Sequence, residues 1–171
     1  MRRSMRRSEK EIQDRASMDE VIARAEVCRL GLCVDNEPYV VPVSFGYDGT
    51  SIYFHTATDG MAIDYLSSNN QVCFELEYDV RILTNDTRAC GWSHSFYSVI
   101  GFGKVQELTE TSRKVFALNR VMEHYSGKEW DFEVDMLAQI RTWCISIDQM
   151  TGKQSKDKLP ISSTQRPGRT A

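Results

Sequence analysis

Between Leu30 and His55 the apolar residues fall on every second position, and only two turn-forming clusters interrupt the run. Leu30, Leu32 and Val34 share one face, and Asp35-Asn36-Glu37-Pro38 then reverses the chain. Tyr39, Val41, Val43 and Phe45 alternate with Val40, Pro42 and Ser44, and after Asp48-Gly49 the chain returns through Ile52-Tyr53-Phe54-His55. A period of two sends successive side chains to opposite faces of a strand. Turns this short join antiparallel neighbours, whereas parallel strands need long crossovers. The chain is therefore committed early to hairpins.

The remaining segments extend that plan. Ser17-Met18-Asp19-Glu20 has the spacing of a capping box and predicts a helix from about 18 to 27, with Val21, Ile22 and Ala25 inward. A short helix is expected over 59–68, a strand at 72–76, and a loop from Asp79 to Gly91. Phe96 to Val105 reads as a long strand whose Gly101 and Gly103 signal a bulge or a close backbone approach. Val115, Leu118, Met122 and Tyr125 sit at helical spacing, giving a helix over about 110–125, and another helical turn is expected within 135–140. Trp143, Ile145 and Ile147 form a final strand, and no order is expected beyond Gly152. Helices that interrupt hairpins, rather than alternating with strands, imply an antiparallel barrel that is mostly β with peripheral helices.

Length and charge narrow the class. A chain of 171 residues, 41% hydrophobic and 26% charged, fits one globular domain that needs neither disulfides nor metal to fold. Residues 1–15 carry +3 and residues 153–171 carry +4, so the net charge of −3 leaves −10 on residues 16–152. We read a basic segment at 1–16, a domain at 17–152 and a basic tail at 153–171. An acidic body lacks the clustered basic face that nucleic acid demands. No apolar run approaches membrane-helix length, and the basic amino end leads into polar sequence unlike a secretory signal. Five cysteines with no C-x-x-C fit free thiols in a reducing cytoplasm. No G-x-G-x-x-G follows a strand, and P-loop, G-x-S-x-G and H-E-x-x-H motifs are absent from the sequence. Cys90 and His94 have no second pair at ligand spacing, so no metal is expected.

Several segments, in order, resemble one known family. They are Arg29-Leu-Gly-Leu-Cys33, Pro38 through Tyr47, Ile52 through Ala57 with Gly60, Val72-Cys-Phe-Glu75, Ser98 through Gly103, His124-Tyr-Ser-Gly127 and Met150-Thr-Gly-Lys153. Met5-Arg6-Arg7 with Glu11-Ile12 adds to them. Together they resemble the nitroimidazole-resistance proteins of the pyridoxamine 5′-phosphate oxidase-like flavoproteins, over roughly residues 5–155. The resemblance implies a single-domain split β-barrel, a homodimer, and FMN in a groove at the subunit interface. It implies an FMN-dependent oxidoreductase that reduces a small oxidised organic molecule, for example a nitroaromatic such as a 5-nitroimidazole. The alternative is a non-catalytic flavin- or haem-binding protein using the same groove.

The resemblance also implies site residues. Val41, Pro42, Val43 and Ser44 match the strand that contacts the flavin ring, and Pro42 removes one ladder donor there. His55, Thr56 and Ala57 with Gly60, Met61 and Ala62 match the phosphate-side loop and helix start, where a hydroxyl and main-chain amides meet an anion. Relatives commonly carry lysines after the glycine; Met61-Ala62 replaces them, and Lys104, Lys153 and Arg88 are candidate substitutes. Trp92, Ser93, Ser98 and Val99 match a second cofactor-facing segment, and Lys153 follows the last strand. His55 is the candidate catalytic residue. A structural reading stands beside each: plain barrel strand, hydrogen-bonded strand histidine, and aromatic capping of the barrel by Trp92 and Phe96.

Overall fold

The computed structural model describes residues 5–161. After a 3-10 turn at Ser8–Lys10 come β1 (Glu11–Ile12), α1 (Arg15–Arg24), β2 (Cys28–Val34), β3 (Glu37–Val43), β4 (Phe45–Tyr47), β5 (Ser51–Thr56) and α2 (Met61–Ser68). Then follow β6 (Gln71–Leu83), β7 (Ser93–Leu108), α3 (Thr111–Ser126), α4 (Val134–Ala138) and β8 (Arg141–Gln154). The strands form one antiparallel sheet in the order β3-β2-β6-β7-β8-β5-β4, with β1 added beside β8. Curling brings the two outer strands, β3 and β4, to a corner where Ser44 alone separates them in the chain. The fold is thus the expected split barrel.

The barrel interior is filled by Leu30, Phe45, Ile52, Phe54, Phe74, Leu76, Val99 and Ile145, all fully buried. These are the inward positions of the alternation. From α1, Val21, Ile22 and Ala25 join the same core. Helix α3 packs on β4, β5 and β8. Ala117 meets Tyr53, Leu108 and Cys144 in a smaller cluster on the opposite face of those strands. No helix among the described residues is long and apolar enough to cross a membrane.

Five local expectations change. Asp14, not Ser17, caps α1: its side chain accepts from the Ser17 amide at 2.7 Å, so the helix starts three residues earlier. Ser17 instead donates its hydroxyl to the Ile161 carbonyl, and Glu20, buried, pairs with Arg24 at 2.7 Å. The run from Tyr39 to Phe45 is two strands on opposite sheet edges. The expected loop at 79–91 is mostly the outer part of a hairpin. A register shift between Tyr78 and Arg81, with Asp79 at φ 52°, breaks the alternation and makes strand sequence look irregular. The last strand is longer than its apolar core suggests, because its second half faces water on one side.

Beyond Gly152 the described chain stays ordered. Ser155 accepts from the Phe96 amide through its hydroxyl at 3.1 Å, and the Leu159 carbonyl accepts from the Tyr97 hydroxyl at 2.5 Å. Lys158 pairs with Asp79, and Ile161 is buried in the core. Residues 162–171 of the expected tail lie outside the described residues.

Gly101 and Gly103 meet the expectation of close approach. A Cβ on Gly101 would lie 2.0 Å from the ring of fully buried Phe74, and one on Gly103 would lie 2.3 Å from the Ser146 carbonyl oxygen. The β7–β8 register shifts at the same point, between Phe102 and Gly103. Gly101→Ala is expected to cost about 2–3 kcal/mol by overpacking, read as a lowered midpoint in urea denaturation. A change below about 0.5 kcal/mol would show that Phe74 has room to withdraw.

Candidate functional site

At the β3–β4 corner the chain exposes an unpaired strand edge. Strand β3 hydrogen-bonds only to β2, so its outer backbone groups have no ladder partner within the sheet. Val41 and Val43 turn inward onto the core, while Pro42 and Ser44 are exposed. The last rung between β4 and β5 pairs Phe45 with Phe54. Ser44 and His55, the residues next to that rung on each side, are both exposed. Main-chain donors and acceptors, one hydroxyl and one imidazole therefore border this corner.

Alternation along β5 divides its candidates. Thr56 points into the barrel: its hydroxyl accepts from the Trp143 indole at 3.0 Å and donates to the Ala57 carbonyl at 2.9 Å. Its hydroxyl is thus engaged inside the fold, not held out toward an anion. Arg141, opposite Thr56, lies over the Trp143 ring at 4.9 Å and makes a bidentate pair with Glu107 at 2.5 and 2.9 Å. Ala57 and Gly60 are exposed, Met61 is exposed, and Ala62 is half-buried where α2 begins. No side chain caps that helix. Its first-turn amides and the dipole are positive features there, and Asp64 brings an acid into the first turn.

His55 faces outward opposite Thr142. It remains in contact with water, yet desolvation of the ring lowers its pKa below the ordinary 6.5. Near neutral pH the imidazole is therefore uncharged, suited to hydrogen bonding rather than to storing a proton. His124, by contrast, is structural: its Nε2 lies 2.8 Å from the Ala25 carbonyl and its ring centroid 4.3 Å from that of Phe45.

The second candidate segment is itself split. Ser98 is half-exposed on the outer face, between Glu77 on β6 and Lys153 on β8, whereas Val99 is fully buried in the core. Trp92 and Ser93 lie near the hairpin tip. Five residues of strand, about 17 Å, separate Ser93 from Ser98. Trp92 is 54% exposed and its indole donates to the Asn85 carbonyl at 2.8 Å.

Lys153 is remote from the β5 corner. Along β8, Arg141 sits opposite Thr56 and Lys153 sits opposite Ser98. Those twelve residues trace a contour of about 40 Å. The strand register thus puts Lys153 and the rung of Thr56 at opposite ends of β8, while Val43 and Val99 share one row across β3, β2, β6 and β7. Lys104 stands opposite Gln71, just after α2 ends, and Arg88 lies on the hairpin tip.

Three features were not singled out from sequence. Arg29 contacts Glu75 at 3.0 Å and Glu77 at 3.6 Å on the open outer face. Desolvation, with Glu77 adding repulsion, raises the Glu75 pKa, while Arg29 opposes the shift. The hairpin beyond Tyr78 and Tyr97 is a two-stranded arm that exposes Val80, Ile82, Leu83 and Trp92. A cavity of about 340 Å³ is lined by Arg6, Arg7, Lys10 and Lys153 with Met5 and Phe96. Only the barrel register brings the amino-terminal cations to Lys153, which is why sequence spacing did not reveal them.

A split barrel with this strand order and an open β3 edge defines a recognisable class. The chain belongs to the pyridoxamine 5′-phosphate oxidase family, whose model matches residues 14–154. A protein provisionally described as a 5-nitroimidazole antibiotic resistance protein, from Bacteroides thetaiotaomicron, superposes with a TM-score of 0.74 at 29% identity, covering 84% of this chain and 85% of that one. The flavocytochrome Anf3 from Azotobacter vinelandii shares the fold at TM-score 0.75 and 15% identity, over 92% of this chain and 74% of its own. So does an FAD- and haem-binding protein from Mycobacterium smegmatis, at 0.74 and 16%, over 91% and 77%. An uncharacterised protein of Rhizobium meliloti is 24% identical over 83% of this chain and 93% of its own length.

In an NMR titration His55 is expected to protonate below pH 6.5. Its folded-state pKa lies below the unfolded one, so between the two the unfolded chain binds more protons and stability rises with pH. That contribution is complete above 6.5 and lost as pH falls through the window, and His55→Gln should remove it. A midpoint at or above 6.5 would mean the ring is as well solvated as in the unfolded chain.

Proposed function

We propose that this protein is a flavin-dependent oxidoreductase that binds FMN in a groove between two copies of the chain and reduces a small oxidised organic molecule. The observation that carries the reading is the unpaired β3 edge meeting His55 at the barrel corner, in a member of this family. The residues present suit a flavin. The outward-facing main-chain groups along Val41, Pro42, Val43 and Ser44, which belong to alternate residues, can pair with the polar edge of its ring, with Ser44 and His55 at hand. The amides of Met61 and Ala62 offer an anion a helix start. When bound, the cofactor supplies two-electron transfer, and the protein supplies binding, orientation and exclusion of water. His55, uncharged at neutral pH, orients the ligand by hydrogen bonding.

One observation supports a homodimer: the two-stranded arm presents Val80, Ile82 and Trp92 to water, and such a ribbon is marginal without a cover. Reduced nicotinamide is the electron source proposed, and nitroaromatics are the first substrates to try, because the 29%-identical structure carries that resistance description.

A second reading, a flavin- or haem-binding protein without turnover, is favoured by the missing cation at Met61-Ala62. Spectroscopy separates the two. Purified protein incubated with FMN should turn yellow and bleach with a reductant, then reoxidise on adding a nitroaromatic; a Soret band without FMN uptake supports the haem reading. Ala62→Lys should tighten FMN about tenfold through one charge-assisted contact. An unchanged dissociation constant would put the phosphate elsewhere. Ile82→Glu should yield monomers in sedimentation velocity with loss of FMN, and a dimer that persists would remove the arm from the interface.

A further inference from the structure

We propose that the cavity between the amino-terminal segment and the far end of β8 is a second anion site, which takes the phosphate group or groups of a small ligand. Its walls are Met5, Arg6, Arg7, Lys10, Phe96 and Lys153, and its volume is about 340 Å³. The chain builds it deliberately. The 3-10 turn at Ser8–Lys10 feeds into β1, and β1 pairs with β8 so that Glu11 stands opposite Lys153 and Ile12 opposite Gly152. This pairing lays three cations against a fourth that is more than 140 residues away in sequence. Ile12 and Met18 pack on Gly152, which fixes the approach.

Four like charges around one small space repel each other. Among the described residues no ion pair joins any of the four to a carboxylate. Glu9 and Glu11 lie in the same segment without pairing to them, and Asp157, just beyond β8, accepts from the Ser95 hydroxyl at 2.5 Å. Six arginines do pair with acids, among them Arg15 with Asp19, Arg29 with Glu75, Arg120 with Glu123 and Arg141 with Glu107, while Arg88 and Arg113 do not. What sets the cavity apart is that four unpaired cations line one space, and an external anion relieves their repulsion.

The chemistry of the lining selects phosphate. Two guanidinium forks match phosphate oxygens bidentately, and two ammonium groups add point charge. Phe96, half-buried with Lys153 Nζ 5.8 Å from its ring centroid, and the Met5 thioether give an apolar wall for the body of the ligand. The volume is at the low end for small-molecule sites. The −10 charge on residues 16–152 repels extended polyanions, so a small molecule is the occupant. Phosphate of this kind comes from the pyrophosphate of a reduced nicotinamide dinucleotide that delivers electrons; FMN, whose one phosphate is proposed to lie at the start of α2, is the competing source that the test separates. The site itself does not depend on the flavin reading.

The test titrates inorganic pyrophosphate into the full chain at low salt, by calorimetry and by amide shifts in NMR. Binding should perturb residues 6–10 and 153, and weaken as salt is raised. Arg7→Gln and Lys153→Gln should each weaken it about tenfold, while Arg7→Lys keeps most of the affinity. Arg81→Gln, an exposed arginine on the hairpin arm, serves as the control and should change nothing. Circular dichroism checks that each variant folds. FMN and a reduced nicotinamide dinucleotide are then titrated against Arg7→Gln; the one whose dissociation constant rises is the source of the phosphate. Pyrophosphate that does not bind, or that binds Arg7→Gln and Lys153→Gln as tightly as wild type, overturns the proposal. Failure of FMN to bind anywhere would defeat the flavin reading while leaving the pyrophosphate result decisive.

Discussion

The barrel closes because one extended stretch of chain belongs to both edges of the sheet. Residues from Glu37 pair with β2, and after Ser44 the same stretch pairs with β5. Covalent continuity replaces the hydrogen-bonded seam that would seal a full barrel, so one side of β3 is left without partners. Everything proposed about ligands at that corner follows from this. The opening is not a defect in packing, since Phe45 and Phe54 on the adjoining rung are fully buried.

Much of this was legible in the chain itself. Alternation over 30–55 predicts the hairpins, and Val41, Val43, Ile52 and Phe54 are inward as the period requires. The glycines of Phe96 to Val105 announce close approach, and both have it. What the alternation could not show was the chain passing from one edge of the sheet to the other at Ser44, because the period continues unbroken through the corner. Asp79 hid the outer hairpin, since one residue out of register looks like the start of a loop. The segment after Gly152 reads as polar tail because its order depends on partners distant in sequence, namely Asp79, Ser95 and Tyr97.

The candidate site was legible in part and for a clear reason. Order and spacing of motifs identify the family, but faces and distances emerge only from the register. Thr56 and Val99 turn into the core, while Ser44, His55 and Ser98 face out. Trp92 sits on an arm and not at a barrel end. Lys153 lies at the opposite end of β8 from the rung that holds Thr56. The two ends of β8 therefore differ in character: a neutral, hydrogen-bonding corner near its start and a cationic hollow near its finish.

Strand β1 is only two residues long. The outer wall of that hollow is consequently tied to the barrel by very few main-chain bonds, while its inner wall belongs to the long β7–β8 pair. An anion that bridges the two walls acts as a clasp, coupling the order of residues 5–10 to its own concentration. Such a wall can be remodelled by substitution in a short leading segment without disturbing the packed interior.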